Sequence, residues 1–200
     1  MNKSIIGIIL GGGQSRRFGS PKAFEEKDGV AFYEYSVQAM GAFTKDIILV
    51  TNTNLLSRFS VNSLMHVITD IEDINGLGPL AGIYSAMDRA KADWYLVSPI
   101  DVPFIEASIF EMLLQQHQDS DTDAIVPIVN GKLQPLIAVL NYSIKEKVKE
   151  QLRIKELSMR QLFDKCRVTY FAIDKEKPFI NINTKDDLER YIMKEEEENA

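Results

Sequence analysis

The segment from residue 9 to residue 22 combines a run of glycines with fixed cations, and this combination is suited to binding polyphosphate. It reads Ile-Leu-Gly-Gly-Gly-Gln-Ser-Arg-Arg-Phe-Gly-Ser-Pro-Lys. Glycine lacks a Cβ atom, so residues 11–13 can take positive φ angles and let backbone N–H groups approach an anion closely. Arg16, Arg17 and Lys22 add positive charge to the same segment. The pattern therefore predicts a phosphate-binding loop.

Two common phosphate-binding motifs do not fit this spacing. The Walker A motif has four residues between its glycines and then Lys-Ser or Lys-Thr, whereas five residues separate Gly13 from Gly19 and the chain continues with Ser20 and Pro21. The dinucleotide-binding fingerprint would place its third glycine at Arg16, where close helix–strand packing is required. The loop is therefore of a third kind.

Composition is that of an ordinary enzyme domain. The 200 residues are 45% hydrophobic, which is enough for a full core, and we expect one domain over residues 1–193 and an acidic, disordered tail over residues 194–200. The net charge of −6, much of it in the tail, gives no electrostatic case for binding nucleic acid. The apolar run Ile5–Leu10 is too short for a signal peptide or a membrane span, and the lone Cys166 suits a reducing compartment. We therefore expect a cytoplasmic protein without nucleic-acid or membrane partners.

Short apolar runs alternate with longer stretches of helical periodicity. Strands are predicted at Ser4–Leu10, Asp46–Thr51, His66–Thr69, Trp94–Ser98, Ala124–Val129, Pro135–Leu140 and Val168–Ile173. Helices are predicted at Val30–Ala42, Leu55–Phe59, Leu80–Arg89, Ser108–Gln116, Ser143–Arg153, Ser158–Asp164 and Lys185–Met193. Strands this hydrophobic are typical of a parallel sheet that is covered on both faces. The sequence therefore predicts a three-layer α/β/α domain that binds ligands beyond the carboxyl ends of its strands.

Two further segments place acidic groups at this same edge. Residues 70–82 combine carboxylates and glycines between a strand and a helix, in a loop that is suited to meet a base and a ribose. Asp101 follows the strand at residues 94–98, in a turn flanked by prolines. The first of these segments therefore predicts a site for a nucleotide base and ribose, and the second places a carboxylate at the same edge as the glycine loop.

A polar loop near the end of the chain leads into the last predicted helix. Either Asn183 or Thr184 could cap that helix, so Asn181 is the asparagine that capping does not explain. Asn52 directly follows a predicted strand and could contact nucleotide or form a turn. Both positions are candidates for substrate binding.

The motifs resemble the signature of nucleotidyltransferases that transfer a nucleoside monophosphate from an NTP. That signature runs Leu-Ala-Gly-Gly, then Ser/Ala-x-Arg-Met-Gly, then Lys; here it reads Leu10–Gly13, Ser15–Gly19 and Lys22. Gly11 replaces the usual Ala and Phe18 the usual Met, and Pro21 stands where Asp often precedes the Lys, but the loop donors and cations remain. The Gly-Pro-Leu-Ala-Gly string at residues 78–82 narrows the resemblance to molybdenum cofactor guanylyltransferases.

This resemblance implies a Rossmann-like nucleotidyltransferase fold with a mostly parallel central sheet. It implies transfer of GMP from GTP to the phosphate of molybdopterin, which forms the guanine dinucleotide cofactor and releases pyrophosphate. It also implies Mg²⁺ on Asp101, catalytic roles for Arg16, Lys22 and Asp101, and an acceptor site near Asn181. The implied binding residues are Leu10, Gly11, Gly12, Gly13, Ser15, Lys22, Asn52, Asp70, Gly78, Asp101, Asn181 and Asn183. The expected partners are GTP, molybdopterin and, transiently, other molybdenum-cofactor proteins.

Two alternatives remain open. A related cytidylyltransferase, acting on molybdopterin or on an alcohol phosphate, would prefer CTP, and the string at residues 78–82 favours guanine instead. A catalytically silent nucleotide-binding subunit would not need both Lys22 and Asp101. Nucleotide preference and turnover separate these alternatives.

Overall fold

The computed structural model describes residues 3–13, 18–60, 63–116 and 121–198, with side chains to residue 191. Its strands are β1 Ile5–Leu10, β2 Glu26–Lys27, β3 Val30–Ala31, β4 Asp46–Thr51, β5 Met65–Thr69, β6 Trp94–Pro99, β7 Ala124–Val129, β8 Lys132–Leu133, β9 Ala138–Asn141 and β10 Val168–Ala172. Its α-helices are α1 Phe32–Gly41, α2 Pro79–Arg89, α3 Ala107–Gln116, α4 Lys145–Arg153, α5 Met159–Phe163 and α6 Lys185–Glu198. No helix in this part of the chain is long and apolar enough to cross a membrane.

The central sheet has the strand order β10-β7-β9-β6-β1-β4-β5, and β8 pairs with β7 outside this path. Strand β1 is parallel to β4 and β6, β4 is parallel to β5, and β7 is parallel to β10. Strand β9 runs antiparallel between β6 and β7. The chain moves from β1 toward β5 and then returns to β6 on the other side of β1, which creates a switch point at the end of β1. The prediction of a mostly parallel sheet is confirmed.

Helices cover both faces of this sheet. Ile9 and Leu49 belong to an apolar cluster with residues of α1 and α3, whereas the neighbouring Ile8 and Val50 belong to a second cluster with residues of α2, α4 and α5. Successive strand residues point to opposite faces, so hydrophobic strands need a helical layer on each side. The predicted three-layer α/β/α architecture is therefore confirmed.

A third and smaller apolar cluster lies under the loops at the carboxyl edge of the sheet. Phe18, Phe32, Phe104 and Ile182 are buried together in it, and side chains of α6 pack against them. The rings of Phe18 and Phe32 meet edge to face with 6.4 Å between centroids. This cluster joins the end of the glycine loop, the loop after β6 and the loop before α6.

Several predicted element boundaries differ from the structure because tight turns interrupt them. The predicted helix at Val30–Ala42 is shortened, since Asp28 and Gly29 have positive φ and turn β2 back onto β3. The predicted strand at Pro135–Leu140 begins only at Ala138, because proline cannot donate to a strand ladder and residues 134–137 form a turn. The predicted helix at Leu55–Phe59 is a 3₁₀ segment, Thr53–Arg58.

Helix α6 does not end at the predicted Met193 but continues to Glu198. Glutamate is a good helix former, so a run of glutamates at the end of a helix can continue the helix rather than terminate it. The division into a domain of residues 1–193 and a separate tail stays a prediction.

Candidate active site

A cleft of about 430 Å³ lies at the carboxyl edge of the sheet, around the switch point. Strands β1, β4, β5 and β6 are parallel, so the segments that follow them meet at this edge. The lining residues are Leu10, Gly12, Gly13, Lys22, Val50, Asp70, Gly76, Gly78, Pro79, Gly82, Pro99, Ile100, Asp101 and Leu136. They come from segments that are far apart in sequence, including the ends of β1, β4 and β6 and the first turn of α2.

Many of the residues implied by the sequence motifs meet in this cleft. The predicted residues that line it are Leu10, Gly12, Gly13, Lys22, Asp70, Gly78 and Asp101. Gly11, Asn52, Asn181 and Asn183 are not among the lining residues, and Ser15 and Arg16 lie outside the described residues. Of the lining residues that were not predicted, Gly76, Pro79 and Gly82 belong to the segment already identified at residues 70–82, whereas Val50 and Ile100 have the sequence character of core residues.

The glycine run works differently from the expectation of positive φ. None of residues 11–13 has a positive φ angle, whereas Gly19 does. Gly11 is buried, its N–H donates to the Val50 carbonyl at 2.7 Å, and a Cβ added there would lie 3.2 Å from that same oxygen. At Gly12 and Gly13 an added Cβ would meet nothing within 4 Å. Gly11 thus allows the end of β1 to pack closely on β4, and the next two glycines leave backbone open toward the cleft.

Lys22 and Asp101 lie side by side in the cleft. Lys22 begins the 3₁₀ turn Lys22–Phe24, and its residue is 8% exposed. The distance from Lys22 Nζ to Asp101 Oδ2 is 3.7 Å. The two residues are far apart in sequence, and the parallel sheet brings them together because Asp101 follows β6 next to the end of β1. This is the pair to which the sequence motifs assigned catalytic roles.

Asp101 retains a capacity to bind a further ligand. Its Oδ1 is buried and has no hydrogen-bond partner among the described residues. Burial raises the pKa of Asp101 above its usual value, and the nearby Lys22 ammonium lowers it in part. A buried carboxylate oxygen without a partner is costly, and a cation would compensate for that cost. The donor chemistry of Asp101 therefore fits Mg²⁺, which prefers oxygen ligands.

Asn183 takes a role that the sequence did not predict. Its Oδ1 accepts a hydrogen bond from Lys22 Nζ at 3.1 Å, across 161 positions of sequence. Thr184 is the residue that caps α6, because its Oγ1 accepts from Asp187 N–H at 3.1 Å while Asp187 Oδ2 accepts from Thr184 N–H at 2.9 Å. Of the two caps that the sequence offered, Thr184 is therefore the one that the structure shows, and Asn183 contacts Lys22 instead. No local sequence signal could have shown the contact with Lys22.

The loop after β5 contributes Asp70 to the lining of the cleft. Asp70 Oδ2 accepts from Gly76 N–H at 3.2 Å, which closes the loop on itself. Burial raises the pKa of Asp70, and this hydrogen bond partly opposes the rise. Gly76 and Gly78 have φ angles of 78° and 80°, so side chains there would be strained. The loop leads directly into the N-terminus of α2, where Pro79 occupies the first turn.

The first turn of α2 packs against the end of β1. A Cβ added at Gly82 would lie 2.8 Å from Leu10 Cδ2. Because both residues line the cleft, a glycine at this position sets how closely the helix approaches the end of β1.

Asn52 and Asn181 lie at the margins of this arrangement. Asn52 Oδ1 is buried without a hydrogen-bond partner among the described residues, and the preceding Thr51 donates its hydroxyl to the Gly11 carbonyl at 3.4 Å. Asn181 is exposed, and the next residue, Ile182, donates its N–H to the Asp101 carbonyl at 2.8 Å. The roles assigned to both asparagines stay predictions.

The chain matches the family model described as the MobA-like NTP transferase domain over residues 7–169. It belongs to the MobA-like NTP transferase family. A "Probable molybdenum cofactor guanylyltransferase" of Bacillus cereus strain B4264 is 40% identical over 90% of this chain and 92% of the relative. A relative with the same name in Bacillus cytotoxicus is 40% identical over 92% of this chain and 94% of its own length.

Solved structures show the same MobA-like fold. The molybdopterin-guanine dinucleotide biosynthesis protein A of Archaeoglobus fulgidus superimposes with a TM-score of 0.78, at 24% identity, over 95% of this chain and 99% of that protein. The family match extends from β1 into β10. It therefore contains Lys22, Asp70 and Asp101, whereas the loop that carries Asn183 lies beyond it.

Proposed function

We propose that this protein transfers GMP from GTP to the phosphate of molybdopterin, forming the guanine dinucleotide cofactor and releasing pyrophosphate. The observation that carries the proposal is the pairing of Lys22 with Asp101 in a cleft lined by open glycine backbone. Relatives that share about two fifths of their residues with this chain over almost its whole length carry the guanylyltransferase name, which supports guanine as the base.

The proposed reaction needs charge neutralisation more than proton transfer. The second pKa of a phosphate monoester is about 6, so the acceptor is largely a dianion at neutral pH and needs no general base. One of its oxygens bonds to the α-phosphorus of GTP, the bond from that phosphorus to the bridging oxygen breaks, and pyrophosphate leaves with the electron pair. Lys22 and the backbone at residues 12 and 13 hold the triphosphate and offset its charge. Arg16, outside the described residues, is a further cation proposed for this task.

Magnesium is the metal we propose at Asp101. When bound, it supplies Lewis-acid stabilisation of the phosphate oxygens. The buried Oδ1 of Asp101 is the atom in this chain that would hold it, while Lys22 lies on the side of Oδ2.

Guanine is proposed to bind at the Asp70 end of the cleft. One oxygen of Asp70 is occupied by Gly76 N–H, and the second oxygen and the loop carbonyls provide acceptors. Guanine offers two hydrogen-bond donors on one edge. A base that lacks these donors would leave acceptors of the site buried and unpaired, so the site would discriminate against that base. Gly78, Asn52 and the glycine loop complete the proposed nucleotide site, and Asn181 is proposed for the acceptor.

Location and partners follow from the same proposal. We propose that the protein works in the cytoplasm, with GTP and molybdopterin as substrates and transient contacts to other proteins that handle the molybdenum cofactor.

The direct test uses purified protein with Mg²⁺, molybdopterin and each of the four NTPs in turn, and measures pyrophosphate release. We expect release with GTP that depends on the acceptor. Release with CTP alone would identify the cytidylyltransferase alternative and overturn the guanine assignment. Tight GTP binding without release in the presence of acceptor would identify a silent binding subunit.

A further inference from the structure

Among its neighbours in the described residues, the Lys22 ammonium contacts oxygens of two different kinds. Asp101 Oδ2 lies 3.7 Å from Nζ and belongs to a charged carboxylate, whereas Asn183 Oδ1 lies 3.1 Å away and belongs to a neutral amide. Of these two distances, the one between Lys22 Nζ and Asn183 Oδ1 is within normal hydrogen-bond length. Because Asn183 is exposed at the surface of the loop, its side chain serves no evident packing purpose there.

The backbone of Asn183 is fixed from two directions. Asp187 Oδ2 accepts from the N–H groups of both Asn183 and Thr184, at 3.0 and 2.9 Å. On the other side, Ile182 donates to the Asp101 carbonyl and is buried in the third apolar cluster. The Thr184 hydroxyl and then the backbone N–H groups of Asn183 and Thr184 also lower the pKa of Asp187, which favours its charged form. The amide is therefore held in a defined place before any substrate arrives.

We propose that Asn183 is a positioning residue for Lys22, so that the C-terminal loop serves the nucleotide side of the site. This inference rests on the proposed function. A cation bound to the Asp101 carboxylate would compete with Lys22 for it, and the Asn183 oxygen would then keep the ammonium directed at the triphosphate. A neutral acceptor suits this purpose because it holds the ammonium without placing another negative charge beside the phosphates. A hydrogen bond to a charged group is strong enough for such a role.

A double-mutant cycle tests the inference. Asn183→Leu removes the acceptor at similar size, and Lys22→Met removes the ammonium while keeping an apolar stem. We expect Asn183→Leu to lower kcat/KM for GTP by about tenfold in the wild-type background, the equivalent of one hydrogen bond to a charged group. In the Lys22→Met background the same change should cost less than about twofold, because residues that act as one unit are not additive. The KM for molybdopterin should be unaffected by Asn183→Leu.

Asn181→Leu is the matched control. It removes a second exposed amide from the same loop, and its loss should appear in molybdopterin use and should persist in the Lys22→Met background. That persistence would show that the Lys22→Met enzyme retains enough activity for a further loss to be measured.

Two results would overturn the inference while leaving the proposed function intact. An undiminished loss from Asn183→Leu in the Lys22→Met background would show that Asn183 acts independently of Lys22. A rise in the KM for molybdopterin with unchanged GTP use would place Asn183 on the acceptor side. Failure of the wild-type protein itself to use GTP would instead overturn the proposed function, and this inference with it.

Discussion

Among single residues, Asp101 is the one whose replacement should reduce the reaction rate most, because it is the proposed metal ligand. Replacing it with Asn keeps the shape but removes the charge that would hold the metal. We expect Asp101→Asn to lower the rate of pyrophosphate release at least about a hundredfold, comparable to removal of one electrostatic stabiliser. Folding should be retained, because Asp101 lies in a loop and its side chain is 27% exposed. Steady-state assays across a Mg²⁺ titration provide the measurement, and a near wild-type rate at saturating Mg²⁺ would exclude Asp101 as the metal ligand.

Asp70 allows a separate prediction about base choice. Asp70→Asn keeps an oxygen for the Gly76 N–H but replaces the second acceptor with a donor. We expect the ratio of kcat/KM for GTP over ATP to fall by about tenfold, which corresponds to one unpaired group. Asp73→Asn, an exposed change in the same loop, is the control and should leave the ratio unchanged. Equal weakening of all nucleotides by Asp70→Asn would instead place this carboxylate on the ribose or the phosphates.

The sequence could predict the site residues that lie in a short motif, but not a contact between residues that are far apart along the chain. Lys22, Asp70 and Asp101 each lie in or beside a recognisable segment that follows a strand, and all three line the cleft. The contact between Lys22 and Asn183 joins positions 161 residues apart, and it depends on the position that the loop before α6 takes in the folded protein. The glycine run was recognised for its composition, but its backbone angles depend on the neighbouring strand β4 and could not be inferred from it.

At the scale of elements, close packing between α1 and β1 gives a test of the fold. A Cβ added at Gly7 would lie 2.9 Å from Met40 Sδ and 3.0 Å from Ile47 Cγ1. We expect Gly7→Ala to reduce the free energy of unfolding by about 1 to 3 kcal/mol, the usual cost of overpacking a core. Gly41→Ala, at the end of α1, meets only an ordinary contact at 3.6 Å and is the matched control.

Urea unfolding followed by circular dichroism measures both glycine variants. We expect Gly41→Ala to be neutral or stabilising, because alanine favours a helix more than glycine does. If Gly7→Ala were as stable as Gly41→Ala, the helix would not pack on β1 as closely as the structure shows.

Long apolar strands were predictable because their burial on both faces leaves a clear pattern. Asp46–Thr51 and Ala124–Val129 have the predicted bounds. The two-residue strands β2, β3 and β8 were missed, although Asp28-Gly29 and Asn130-Gly131 both form turns with positive φ and are typical hairpin signals. Two-residue strands contain too few side chains to show alternation, so only their turns could have revealed them.

For the whole molecule, the ion-pair network around Asp123 predicts how stability responds to acid. Burial alone would raise the pKa of Asp123, but hydrogen bonds from Arg167, Lys147 and Ser143 lower it far below the usual value. A lowered pKa in the folded state stabilises the protein above the unfolded value of about 4, and this contribution is lost as the pH falls below it. The network joins β7, α4 and the start of β10 at the edge of the sheet opposite the cleft.

We expect Asp123→Asn to reduce the free energy of unfolding at pH 7 by about 1 to 3 kcal/mol. The difference from wild type should shrink as the pH falls below about 4, because the Asp123 carboxyl of the unfolded chain takes up a proton there, whereas the folded carboxylate, with its lowered pKa, does not. Asp121→Asn is the control, since Asp121 also pairs with Arg167 but its side chain is 88% exposed, and its effect should stay below about 1 kcal/mol. A difference between wild type and Asp123→Asn that stays constant from pH 7 to pH 3 would contradict this account.

The order of strands was beyond prediction from this sequence. Alternating elements indicated a parallel sheet, but the antiparallel insertion of β9 between β6 and β7 depends on long-range pairing that leaves no local pattern. That insertion matters for the site, because Leu136, in the turn before β9, lines the cleft beside the loop that carries Asp101. The position of the cleft was nevertheless predictable from the general rule that ligands bind beyond the carboxyl ends of parallel strands.

The proposed reaction is attack on the α-phosphorus of GTP by a phosphate acceptor in this cleft. GTP labelled with ³²P at either the α or the γ position, incubated with the protein, Mg²⁺ and molybdopterin, tests this reaction most directly. We expect the α label to appear in the pterin product and the γ label in pyrophosphate, and we expect Asp101→Asn to abolish both. Transfer of the γ label to the acceptor, or no labelled pterin from either nucleotide, would contradict the proposed attack on the α-phosphorus.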